Sequence, residues 1–223
     1  MVIGKIIEKV NGDLFNKIDE VIEIDSWRCL NLFTKIPNIT KTDILEYFEY
    51  HIAIFTSYGS EEVYNAFIVD NPYKLDKLLL DNDSSPTYIS EYINIVGQLF
   101  LAGYIDFGLC NLQDKEENLL SRQKDIYQAW IHFRDNFFYT DAFYRDYEIL
   151  DDSEDFSTEE YGKAGWDMPK YWDRYRFWVA RTQKGTKYFN EILSPRFYNK
   201  YKDLEVEIDS KGNVIRWIGQ INR

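Results

Sequence analysis

Residues that interrupt regular structure are scarce in this chain, with five Pro and eleven Gly among 223 residues. Strand-rich folds draw their many turns from Pro and Gly, so this scarcity favours helices and argues against an all-β sandwich. The length suits one large domain or two small ones, with enough chain to bury a sizeable core. A hydrophobic fraction of 45% excludes a disordered chain. The 18 Tyr, 15 Phe and 6 Trp exceed what a lean core requires, so some rings are expected at the surface, where Tyr and Trp make good contact residues. A Tyr- and Asn-rich composition inherited from an A+T-rich genome accounts for the larger part of that excess.

Periodicity places the helices. Ile18, Val21, Ile22 and Ile24 fit a helix face and a strand equally well. "NITKTDILEYFEYHIAIFTSY" is clearer. Thr40 or Thr42 caps it, Asp43 and Glu46 occupy the first turn, and Ile44, Tyr47, Phe48, Ile52 and Phe55 recur at helical spacing. "SEEVYNAFI" reads as a helix capped by Ser60, and "NPYKLDKLLLD" as one with Asn71 as cap and Pro72 at its first position. A further helix runs from 84 to Gly103, after which "YIDFGL" is extended. The longest helical pattern follows, with Leu119, Ile126, Trp130, Phe133 and Phe137 on one side. Asp141 to Glu160 holds nine acids and one Arg and reads as an exposed loop. Beyond it, "RFWVART" is a strand and "TQKGTKYFNEIL" a helix with Tyr188, Phe189, Ile192 and Leu193 on a shared face. "LEVEIDSKGNVIRWIGQI" is a β-hairpin, with Gly212 and Asn213 available for positive φ. The expected class is α+β, predominantly helical. The chain forms one domain over 1–223, or an acidic helical part over 1–110 followed by a helix, an acidic loop and a basic α/β part over 111–223.

Chemistry is sparse. His51, His132, Cys29 and Cys110 are scattered, and no pair sits at metal-ligand spacing, so neither a zinc site nor a cofactor is expected. No nucleophile-elbow, Walker A or dinucleotide-binding string occurs, and abundant carboxylates are not in themselves a site. The chain is therefore expected not to be an enzyme. A hydrolase built on some pair of its carboxylates is the third reading, after a binding protein and a nucleic-acid-binding regulator. No export signal or apolar run of membrane-span length is present, so the two cysteines are expected to be reduced and buried and the protein cytoplasmic.

The net charge of −12 is unevenly placed, as residues 1–160 carry −18 and residues 161–223 carry +6. Two segments bear on what the basic part does. "INIVGQLFLAGYIDFG", within 88–108, resembles the third helix and following strand of a winged-helix domain. "FWVARTQKGTKYFNEIL", 177–193, resembles the last wing strand and the helix after it. The resemblance implies a winged-helix core that carries a large acidic insertion. It also implies a helix for the major groove, where cations reach phosphates. Residues 84–114 contain no Lys or Arg, so sequence-specific duplex binding is not expected. The nucleic-acid alternative rests instead on cations interleaved with aromatics over 170–202, chiefly Arg174, Arg176, Arg181, Lys184 and Lys187. Against it stands an internal use, in which the basic segment packs on the acidic remainder.

A small chain with strong acidic bias, many aromatics and no catalytic signature resembles, in profile, the bacterial toxin-immunity proteins. That resemblance implies a partner that is a cationic toxin domain, often a nuclease, neutralised through an acidic, aromatic-rich surface. Clustered acids speed encounter with such a partner, and Tyr and Trp supply contact area. Asp151, Asp152, Glu154, Asp155, Glu159 and Glu160 are the candidate recognition residues. A solvated linker is the plainer account of the same six acids.

Overall fold

Between Thr40 and Asp43 the chain makes a reciprocal cap. The Thr40 amide donates to Asp43 Oδ2 at 2.7 Å, and the Asp43 amide donates to Thr40 Oγ1 at 3.3 Å. Of the two threonines, Thr40 is therefore the cap, and helix α1 runs Lys41–Phe55. This computed structural model describes residues 1–7, 32–56, 61–62, 89–109, 118–140, 165–172 and 176–223. Within them the chain is a mixture of helix and antiparallel strand. It divides into two units, one formed by Met1–Tyr50 with Lys187–Arg223 and the other by His51–Thr186.

The first unit holds a three-stranded antiparallel sheet in the order β1-β5-β6, with β1 at Val2–Lys5, β5 at Glu205–Ile208 and β6 at Val214–Ile218. Val206 and Ile208 of the central strand are fully buried. The β5–β6 hairpin expected from sequence is present. Its turn is set by Asp209, whose carboxylate accepts from the amides of Lys211 and Asn213 and from the Asn213 side chain. Gly212 takes the positive φ of 82° and Asn213 does not, because its polar groups are held by Asp209. Rings of α1 and the C-terminal helix fill this core: Tyr50 stacks on Phe197 at 4.1 Å, and Tyr201 lies 4.6 Å from Phe197.

The C-terminal helical run departs from the expected pattern. Gln183–Tyr188 is α-helical, Phe189–Leu193 is a π-turn, and the helix resumes over Ser194–Tyr201. The extra residue of the π-turn rotates the helix face. Phe189 and Leu193 stay buried, whereas Ile192 is 51% exposed rather than sharing their side. Ser194–Tyr201 went unread in the sequence, although Pro195 in its first turn is a start signal.

The second unit has the sheet order β2-β4-β3, with β2 at Glu61–Glu62, β3 at Ile105–Leu109 and β4 at Phe177–Arg181. Glu61 and Glu62 pair with Val179 and Trp178, so the helix expected to start at Ser60 does not hold for these two residues. Strand pairing with β4 outweighs the weak helical pattern. Helix α2, Ile89–Leu101, ends at Gly103 with φ 72°, and the Tyr104 amide reaches back to the Leu99 carbonyl at 2.8 Å. Strand β3 then pairs antiparallel with β4, Phe107 opposite Val179 and Leu109 opposite Phe177.

The long helix expected after residue 111 is shorter than its pattern. Leu120–Arg122 is a single 3-10 turn, and α3 begins at Ile126 because Asp125 caps it, accepting from the amides of Tyr127 and Gln128. Leu119 bridges Gly108 of β3 instead of lying on the helix. Trp130, Phe133 and Phe137 are buried as their spacing implies, but a π-turn over Arg134–Phe138 closes the run. Phe133 sits among Phe107, Phe137, Phe138, Trp166, Trp172 and Phe177, with ring centroids 4.8–5.8 Å away. The two indoles are satisfied locally, Trp166 donating to the Asn118 carbonyl and Trp172 to the Gly165 carbonyl.

The junctions after α2 and after β4 are tied together. Thr182 Oγ1 donates to the Gly103 carbonyl at 2.7 Å and accepts from the Gly185 amide at 3.0 Å. At Gly185 a Cβ would lie 1.8 Å from the Tyr104 carbonyl oxygen, a backbone atom that cannot move aside alone. Gly185→Ala should therefore cost about 1–3 kcal/mol in urea unfolding. Gly103→Ala meets no atom within 4 Å and carries only the positive-φ penalty, about 1 kcal/mol. Equal midpoints for Gly185→Ala and the parent chain would contradict the close approach.

Candidate functional site

Helix periodicity places Asp43, Glu46 and Glu49 three residues apart on one side of α1, and the last 36 residues supply their counter-charges. Lys200 Nζ lies 2.6 Å from Asp43 Oδ1 and 2.5 Å from Glu46 Oε2. Arg196 reaches Glu46 at 2.7 Å and Glu49 at 2.9 Å. Arg223 donates to Asp43 Oδ2 at 2.9 Å and to the Asn38 carbonyl at 2.7 Å. The Tyr188 hydroxyl donates to Glu49 Oε1 at 2.6 Å. All of these groups belong to the first unit.

Burial shapes this network. The Asp43 carboxylate is fully buried, which by itself would raise its pKa. Hydrogen bonds from Lys200, Thr40 and Arg223 outweigh that and hold it well below the usual carboxylate range. Burial opposes the Lys200 charge, but its bonds to Asp43 and Glu46 win and raise its pKa. Burial and the bond to Glu49 push the Tyr188 phenol up to about 12. Each carboxylate here already has a cation at ion-pair distance, so the arrangement works as an internal clamp between helices. It presents neither a free general base nor an anionic surface.

Three of the candidate basic residues are described in the second unit. Arg181 Nη1 donates to the Ala53 carbonyl at 2.9 Å, and burial lowers its pKa. Lys184 Nζ donates to the Ala102 carbonyl at 2.6 Å and lies over the Tyr104 ring. Arg176 is only 4% exposed. Lys187, which falls in the first unit, is exposed, and Arg174 lies outside the described residues. The six acids Asp151, Asp152, Glu154, Asp155, Glu159 and Glu160 also lie outside the described residues, as do Cys29 and Cys110. Among the described residues, no group of three His, Cys, Asp or Glu is placed to hold a metal ion.

The histidines differ from each other. His132 is exposed, with Nε2 3.1 Å from the Trp166 carbonyl oxygen. His51 is buried and stacked on Phe55 at 4.3 Å, and burial lowers its pKa to about 3. The unfolded chain therefore takes up this proton first, and His51 withdraws stability as pH falls below about 6.5 towards 3. From pH 7 to pH 5 the loss should be about 2 kcal/mol. His51→Leu should flatten urea-midpoint curves over that window, and a slope equal to the parent's would refute the assignment.

No family model matches the chain, and no curated protein or solved structure shows significant similarity to it. The charge distribution over the fold is the informative quantity. Residues 1–160 carry a net −18 and residues 161–223 a net +6, and within the first unit Arg196, Lys200 and Arg223 of the basic part meet the acids of α1. No helix among the described residues is long and apolar enough to cross a membrane.

Proposed function

We propose that this chain is a non-catalytic binding protein of the toxin-immunity kind, neutralising a cationic toxin domain through an acidic, aromatic-rich surface. The observation that carries the reading is the acidic bias of residues 1–160, a net −18 against +6 over residues 161–223. Arg196 and Lys200 pair with the acids of α1, and Arg181 and Lys184 donate to main-chain carbonyls, which supports an internal use for part of the basic segment. A surplus of that kind, concentrated at Asp151, Asp152, Glu154, Asp155, Glu159 and Glu160, suits electrostatic steering of a basic partner.

The same proposal covers the finer fold. The two segments with winged-helix character come together, β3 pairing with β4 and the α2–β3 turn bonding to the turn after β4. This supports a winged-helix-derived core in the second unit. Duplex reading is the second-ranked function. The exposed stripe of α2, Ser90, Asn94, Gln98 and Leu101, lacks any cation, and three of the five candidate basic residues are buried or bonded to main-chain carbonyls.

The test is kinetic, using the full chain and a purified cationic nuclease toxin domain. Replacing the six acids by Asn or Gln should slow association about tenfold and make its salt dependence shallower. Individually they contribute little, on the order of 0.2–1 kcal/mol each. A folded variant with unchanged association and unchanged salt slope overturns the assignment. So does tight, sequence-specific duplex binding by the parent chain at physiological salt.

A further inference from the structure

We draw no further inference here: the strongest candidate, the surface patch of exposed Tyr127 and Tyr139 about Arg134 on the helical segment 126–139, carries nothing because nothing in the structure shows what covers it.

Discussion

Phe133→Ala is expected to destabilise the chain by about 3–5 kcal/mol and to lower its Tm by roughly 10 °C. The ring is fully buried and touches six other aromatic rings from the π-turn, β3, β4 and the 165–172 segment. Those neighbours are themselves large and fixed on separate elements, so the space left by a phenyl group cannot be closed by one local shift. Close packing makes such a void costly in proportion to its volume. Tyr127, on the same helix and 54% exposed, is the control, and Tyr127→Ala should stay within about 0.5 kcal/mol of the parent. Urea unfolding of both variants reads the difference. If Phe133→Ala proves as mild as Tyr127→Ala, the ring cluster is not the core of the second unit.

The second large effect is expected at Asp43. Asp43→Ala removes the partner of Lys200 and Arg223 and the acceptor for the Thr40 amide in one step. Lys200 keeps Glu46 and Arg223 is half exposed, so the loss is that of the buried hydrogen bonds, about 1–3 kcal/mol. Lys200→Met should cost less in the Asp43→Ala background than in the parent, since one of the two carboxylates that Lys200 meets is then already gone. The double variant tests whether the pair is coupled. The pH dependence has a definite sign. The folded pKa of Asp43 is depressed, so its contribution is fully present above about pH 4, the unfolded value. It fades as pH falls through the lower folded value. In acid titrations below pH 4 the parent should therefore lose stability faster than Asp43→Ala. Parallel curves would show that the carboxylate is not held in this way.

How much of this was legible in sequence depends on whether a local signal or a distant partner decides the conformation. The end of α2 was legible, because Gly103 announces the left-handed residue that closes a helix and the next residues are β-formers. The C-terminal hairpin was legible for the same reason, since its turn chemistry is contained in Asp209–Asn213. Glu61–Glu62 misled, because their strand exists only by pairing with Val179 and Trp178, more than a hundred residues away. The start of α3 misled in another way. Apolar spacing continued back through Leu119, and Asp125, a strong capping residue, stops the helix before it gets there. The π-turns left no trace in the pattern at all, since one extra residue per turn looks like ordinary noise in a short window. The internal use of the basic segment was readable as a balance of charges. The pairing of Lys200 with Asp43 and Arg196 with Glu49 was not, because no spacing rule links positions some 150 residues apart.

The pairing of Val2 with Ile208 has a consequence for how the chain is made. A ribosome adding about 5–20 residues per second needs roughly 10–40 s to travel from one strand to the other. Throughout that interval β1 is already synthesised and its partner does not yet exist. The whole His51–Thr186 unit is released in the meantime and is free to condense on its own. The first unit is thus completed last, by the segment that also brings Arg196, Lys200 and Arg223 to Asp43. Within this unit the order of assembly runs against the order of synthesis: β1 is made before β5 and must wait for it.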